Sequence, residues 1–237
     1  MIALTEKILG QIHAHAAEEA PKECCGLVVI RNGKLQYLKC RNIAQDPANN
    51  FTISPEDYAS AEDIGEIVRI VHSHVYKAPL PSEADLVACE LSGIPWLIVN
   101  WPVGTIHEFE PSGYKAPLIG RQFHHGSLDC YGLIRDYYRE VLNIELLDFV
   151  RQDDWWTKGE NLYLEGFPKA GFIEVDSIEP HDVLLMQIAS PVINHAAIYV
   201  GDNQIIQHCF GRLSSRDIWG GAWQRATRKI VRHKSLC

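Results

Sequence analysis

Two imidazoles and a carboxylate fall within fourteen positions of one another in this sequence: His72-Ser73-His74, then seven residues, Ser82, two residues and Asp85. All three are zinc-ligand types. Residues i and i+2 of an extended strand point to the same face, so His72 and His74 can bind one ion together. A helix beginning at Ser82 would bring Asp85, one turn in, back to the end of that strand. Two His and one carboxylate leave the fourth tetrahedral position open for water, the arrangement of a catalytic zinc rather than a structural one. Such a site needs a general base, and Glu23, between the first helix and a hairpin, is the candidate to take the proton from water. Ser82-Glu83-Ala84-Asp85 also reads as a capping box at a helix start, a structural use of the same residues.

Cys130 supplies a different chemistry. It stands at the expected start of a helix, where unpaired backbone N–H groups and the helix dipole favour the thiolate. A base is then needed, and Asn194-His195-Ala196-Ala197-Ile198-Tyr199-Val200-Gly201 presents His195 at the mouth of a strand. His208, expected on the neighbouring strand of a hairpin, is placed to hydrogen-bond the imidazole and hold its tautomer. Taken alone, Cys130 also reads as a buried small hydrophobe and His208 as an ordinary sheet residue. His124-His125 lies close enough in sequence to line the same cleft.

These residues require elements to position them. Thr5 can cap a helix carrying Ile8, Leu9, Ile12 and Ala16 on one face, and Pro21 ends it. Cys25 to Ile30 and Lys34 to Cys40 are strands joined at Asn32-Gly33, which readily supplies two positive φ angles. Ser54-Pro55 opens a helix through about Gly65. Ile67 to Val71 predicts a buried strand with His72 and His74 at its end, and Ser82 starts a helix through Leu91. Trp96 to Trp101 and Thr105 to Phe109 read as further strands. Pro111 to Pro117 is the best linker in the chain. Beyond it, Leu128 to Leu142 predicts a helix and Glu145 to Val175 an irregular stretch. Val183 to Ile188, His195 to Val200 and Gln204 to Phe210 predict strands. Helices and strands alternate in the first half, while a helix precedes an antiparallel sheet in the second, an α+β pattern.

Bulk properties exclude several classes. A net charge of -8 argues against a nucleic-acid binder, because phosphate neutralisation needs excess Lys and Arg. One local exception is the stretch from Arg216 to Cys237, rich in Arg and Lys, which reads as a solvated face or as a dock for an anionic polymer. Seven cysteines without regular spacing predict reduced thiols in a cytosolic compartment rather than a disulfide framework. The start lacks an export signal, and no apolar run approaches the ~20 residues that span a bilayer.

The joint spacing of Glu23, His72, Ser73, His74, Ser82 and Asp85 resembles the JAMM (Mov34/MPN) metalloprotease motif at every position. That resemblance implies a JAMM-like α/β sandwich domain over residues 1–112 that binds Zn2+ through His72, His74 and Asp85. It further implies Glu23 as acid and base, Ser82 as a donor to the tetrahedral oxyanion, and hydrolysis of peptide or isopeptide bonds. Asp129-Cys130-Tyr131-Gly132-Leu133-Ile134, followed by His195 and His208, resembles the NlpC/P60 cysteine peptidases, which cut peptide stems of the bacterial cell wall. This implies a papain-like α+β domain over residues 118–237 with Cys130, His195 and His208 catalytic. There are departures: Tyr131 stands where such enzymes usually have Ser, and Leu118 where they commonly carry a Tyr upstream of the nucleophile.

The two in this order resemble the tail assembly protein K family of long-tailed bacteriophages, a likeness strengthened by the stretch around Phe123-His124-His125-Gly126 and by Gly211-Arg212-Leu213-Ser214-Ser215-Arg216. The resemblance implies a role in building the tail tip and in opening the host wall during infection. Implied partners are other phage tail proteins, with peptidoglycan stem peptides or a tail protein as substrate. The implied location is the host cytoplasm during assembly or the tail tip of the particle. A competing class is a structural assembly factor whose sites act on no external substrate. A deubiquitinase-like regulator, read from the first half alone, leaves the Cys130 constellation unexplained.

Overall fold

The computed structural model describes residues 2–152 and 154–237. The chain divides into two units, Met1–Lys115 and Ala116–Cys237, each with its own sheet.

In the first unit α1 (Glu6–Glu19) starts where the Thr5 hydroxyl accepts a hydrogen bond from the Ile8 N–H, satisfying one of the free donors of the first turn. β1 (Cys25–Arg31) and β2 (Lys34–Cys40) pair antiparallel across Asn32 and Gly33, whose φ angles of 50° and 72° supply the turn that matches strand twist. α2 (Pro55–Ile64) is capped by Ser54. β3 (Glu66–Val75) runs on past the expected strand end, so His72 and His74 lie within it. α3 (Glu83–Ser92) begins at Ser82 and ends at Gly93 in the left-handed region. β4 (Trp96–Trp101) pairs parallel to β3, and β5 (Ile106–Phe109) antiparallel to β4. The sheet order is β2-β1-β3-β4-β5, with α3 as the crossover that a parallel pair requires.

Strand alternation sorts the core into two layers. Val28, Val71, Leu97 and Val99 pack under Ile8, Ile12 and Ala16 of α1. Leu27, Val29 and Ile70 face the other way with Ala61 of α2 and Cys89 of α3. By the same alternation His72 and His74 face the layer that holds α3. Glu90 of α3 draws in the expected linker: its Oε1 accepts from Ser112 N at 2.6 Å, Tyr114 N at 2.9 Å and Ser112 Oγ at 3.2 Å.

In the second unit α4 (Cys130–Leu142) is capped by Asp129 and ends at Asn143 in the left-handed region. The stretch expected to be irregular holds a 3-10 turn (Trp155–Lys158), α5 (Leu162–Lys169) and β6 (Phe172–Val175). β7 (Val183–Met186), β8 (His195–Gly201) and β9 (Gln204–Gln207) follow. β9 stops before His208, which the sequence reading had placed on that strand. β10 (Ser215–Ile218), the short α6 (Ala222–Ala226) and β11 (Thr227–His233) complete an antiparallel sheet of order β10-β9-β8-β7-β11-β6. The basic stretch thus contributes β11 and most of β10 to the sheet. Two of its cations are paired with acids: Arg232 with Asp182 and Glu179, and Lys229 with Glu174. Leu133, Ile134, Tyr137 and Tyr138 of α4 bury their side chains with Val183, Leu185, Ile198, Ile206 and Val231 of the sheet.

Among the described residues no helix is long and apolar enough to cross a membrane. The seven cysteines are free thiols.

Candidate active sites

His72 sits in the middle of the first sheet and is fully buried, its ring stacked on Phe51 with centroids 4.4 Å apart. Its Nε2 lies 3.2 Å from Nε2 of His74. Asp85 completes the triangle, with Oδ1 3.5 Å from the first nitrogen and Oδ2 3.8 Å from the second. Tetrahedral bonds of ~2.0–2.2 Å to one zinc would place ligand atoms about 3.3–3.6 Å apart, so the three groups fit a shared ion. The tautomer agrees. His74 Nδ1 donates to the Ala78 carbonyl at 2.8 Å, which turns the Nε2 lone pair toward the other ligands. Burial lowers the His72 pKa to about 4, keeping it the neutral imidazole a metal needs.

Asp85 is held by the capping box of α3. Its Oδ2 accepts from both the N–H and the Oγ of Ser82, each at 2.7 Å, while its own N–H donates to Ser82 Oγ at 3.1 Å. The structural and functional uses of this motif thus coincide, because the cap fixes the carboxylate that faces the histidines. Ser82 spends its proton on Asp85, so in this arrangement it orients a ligand and is not free as the oxyanion donor expected from the motif.

Glu23 is buried two residues before the start of β1, whose first residue, Cys25, is the ladder partner of His72. Burial, and secondarily the Asp85 carboxylate, push its pKa up to about 8. A carboxyl that readily holds a proton near neutrality suits acid–base work. Ser73 sets its place: the Ser73 hydroxyl accepts from Cys24 N at 2.7 Å, and Ser73 N donates to Cys24 O at 3.0 Å.

In the second unit Cys130 is the first residue of α4, yet burial pushes its thiol up to about 11, with the Asp129 carboxylate adding to the rise. The Cys130 Sγ is 2.9 Å from the hydroxyl of Tyr163 on α5, and the main chain of Ala196, next to His195, also lies against the sulfur. Asp129 accepts from Gly132 N at 2.8 Å and Arg151 Nε at 2.7 Å. Burial opposes its charge, but Arg151 overcomes this and holds the carboxyl below its usual range.

His195 Nε2 is 3.0 Å from Gln207 Oε1 and 3.8 Å from Cys209 Sγ. The orientation of the Gln207 amide is fixed, since its Nε2 donates to Asp217 Oδ2 at 2.7 Å. Oε1 must then accept from His195 Nε2–H, leaving Nδ1 as the basic nitrogen. The expectation that His208 fills this role is corrected. Ala197 is the ladder partner of Gln207, so positions 207 and 209 share a face with His195 and position 208 points away. His208 is instead buried against Phe123, near the main chain of Arg121 and Arg212 without a hydrogen bond of normal geometry. Burial and then Arg121 lower its pKa to about 4.

The chain is 40% identical to tail tip assembly protein K of Escherichia phage N15, over 98% of this chain and 97% of that one. It belongs to the tail tip assembly protein K family. The protein K of Escherichia phage lambda is 44% identical over 77% of this chain and 90% of its own length. Within this K-family chain, residues 5–112 match the family of prokaryotic homologs of the JAB domain, and residues 120–232 match the NlpC/P60 family. The first span contains Glu23, His72, His74, Ser82 and Asp85, and the second contains Cys130, Tyr163, His195, Gln207 and Asp217. Matched solved structures include a JAB1/MPN domain protein from Archaeoglobus fulgidus, 20% identical over 46% of this chain and 87% of that one, with a TM-score of 0.31.

Sequence reasoning missed Gln207, Asp217 and Tyr163. Strand parity alone could not have found Gln207: an unbroken count from the Gly201–Gln204 pair sets it beside Ile198, and the bulge between Tyr199 and Gly201 moves it to Ala197. Tyr163 carried no signal, since α5 lies in a stretch without clear periodicity.

Proposed function

We propose that this chain is a bifunctional peptidase of a bacteriophage tail, with a zinc-dependent site in its first unit and a thiol-dependent site in its second. The convergence of His72 Nε2, His74 Nε2 and an Asp85 oxygen within 4.8 Å of one another carries the first half of this reading. His72, His74 and Asp85 would hold Zn2+, which when bound supplies a Lewis acid for water and for the scissile carbonyl. Glu23 takes a proton from the attacking water and returns it to the leaving amine. Ser82 keeps Asp85 aimed at the ion. It would stabilise an oxyanion only by turning its hydroxyl away from Asp85.

At the second site Cys130 attacks a peptide carbonyl after passing its proton to His195 Nδ1, while Gln207 and Asp217 hold the ring. The family names of the relatives support work in tail tip assembly with other tail proteins, carried out in the host cytoplasm or at the tail tip. Cell-wall stem peptides or a tail protein are the proposed substrates. Elemental analysis tests the metal: the wild type should carry about one zinc per chain, consistent with one set of three ligands and an open position, and the His72→Ala/His74→Ala double variant far less. Equal, low zinc in both under metal-replete conditions would sink the first half. Release of soluble peptides from peptidoglycan by wild type but not by Cys130→Ala tests the second.

A second reading, a structural assembly factor whose sites act on no external substrate, draws on the burial of Cys130 and its raised pKa. Under that reading Cys130→Ala and Glu23→Gln would both restore infectious tails as well as the wild type does.

A further inference from the structure

The Cys130 thiol has its side-chain hydrogen bond to the phenol of Tyr163, from a helix that lies well downstream of α4. Tyr163 is fully buried, its ring wedged between Trp155 and Phe167 at centroid distances of 5.1 Å and 5.6 Å. Those ring contacts fix where the hydroxyl points, and among the described residues its hydrogen bond goes to Cys130 Sγ. At the position upstream of the nucleophile where a Tyr was looked for, the chain carries Leu118, so no phenol comes from that side.

Chemistry decides which partner donates once the site is charged. A thiol ionises well before a phenol does, and a thiolate has no proton left to give. Burial raises the Cys130 thiol and the Tyr163 phenol alike, so it does not reverse that order. When Cys130 loses its proton to the imidazole of His195, the S–H bond breaks and an N–H bond forms. Tyr163 keeps its own proton and turns it toward the sulfur. No other bond changes and no electron is transferred.

We propose that Tyr163 is a catalytic residue of the second site, the hydrogen-bond donor that stabilises the Cys130 thiolate beneath a cover that otherwise disfavours charge. This rests on the thiol-peptidase reading of that site, but its test does not need a cleavable peptide. The alternative use of the same contact is a plug, in which Tyr163 merely shields the sulfur.

The two differ in sign. Alkylation of Cys130 by limiting iodoacetamide, followed by mass spectrometry as a function of pH, reads the thiolate directly. Losing a hydrogen bond to a charged group should cost roughly tenfold or more, so Tyr163→Phe should slow labelling near neutral pH by that factor and move the midpoint up by about one pH unit or more. The ring contacts are preserved in this variant. Replacing Tyr163 by a fluorinated tyrosine, of the same shape but a more acidic phenol, should move the midpoint down. An unchanged midpoint in both variants, or faster labelling in Tyr163→Phe, overturns the proposal. If Tyr163→Phe fails to fold, by circular dichroism, the fluorinated variant alone decides. Peptide release from peptidoglycan, measured in parallel, reports separately on the peptidase reading: a wild type that cuts nothing removes that reading, while the midpoints still decide the donor.

Discussion

A carboxamide between an imidazole and a carboxylate is the least conspicuous part of the second site and sets its proton inventory. Gln207 could present either end to His195, and only the Asp217 carboxylate breaks the tie, because a carboxylate can accept but not donate. Asp217→Asn removes that discrimination, lets the amide turn, and allows the wrong imidazole tautomer. Labelling of Cys130 at neutral pH should then fall roughly five- to tenfold, about the worth of one hydrogen bond, with the fold unchanged. Equal labelling rates in Asp217→Asn and wild type would take Asp217 out of the site. The thiol itself sets the pH dependence. Its pKa is raised to about 11, so the thiolate fraction of the wild type climbs about tenfold per pH unit from neutrality and levels off only near that value. A plateau by pH 8 would mean that His195 already holds the proton. Sequence reading marked His72, His74 and Asp85, which the structure brings together, and Cys130 and His195 in the second unit, since each lies in a motif with fixed spacing. It erred on His208 by a single position, and in a strand one position is the difference between facing a partner and facing away.

Elements with strong local signals were legible. The Thr5, Ser54 and Ser82 caps and the Asn32-Gly33 turn all have side-chain or dihedral requirements that few residues meet. α5, β6, β10 and β11 were not, for different reasons. α5 is short and carries Gly166 and Pro168, poor helix formers whose place is settled by packing around Phe167. β10 reads Ser215-Arg216-Asp217-Ile218 at a sheet edge, where polar residues are ordinary. β11 looked like a solvated basic face because its Arg and Lys pair with acids far away in sequence. The segment after β5, where the two units divide, carries a restraint that composition does not show. Its Pro, Ser and Gly composition predicts a loose linker, yet Glu90 holds Ser112 and Tyr114 with one carboxylate oxygen. Limited proteolysis should therefore nick wild type slowly between Ser112 and Pro117 and Glu90→Ala several-fold faster, since backbone released from its hydrogen bonds is what proteases engage. Identical cleavage rates would mean that the three contacts restrain nothing.

At the scale of the molecule, each unit owns a separate core and its own candidate site, one built on imidazoles and a carboxylate, the other on a thiol. A chelator should abolish the first activity and spare the second, and iodoacetamide should do the reverse, because no cysteine belongs to the cluster of His72, His74 and Asp85. Loss of both activities with either reagent would require the sites to be coupled. Complementation of a phage lacking this protein with Glu23→Gln, Cys130→Ala and the double variant separates their uses, since tails that assemble but fail to infect with Cys130→Ala alone would assign the thiol to the wall. The position of β11 adds an order in time. In the second sheet β6 has no neighbour but β11, and β7 has β11 on one side, so two strands wait for residues made more than fifty positions after β6 begins. The first unit faces no such delay: its last strand, β5, is only an edge, and the chain to build it has left the ribosome while the second unit is still being translated. The cluster of His72, His74 and Asp85 can thus form on the nascent chain, whereas the sheet that carries His195 closes only after Thr227–His233 emerges. A ribosome stalled before that strand would hold a chain with one finished sheet and a second still open.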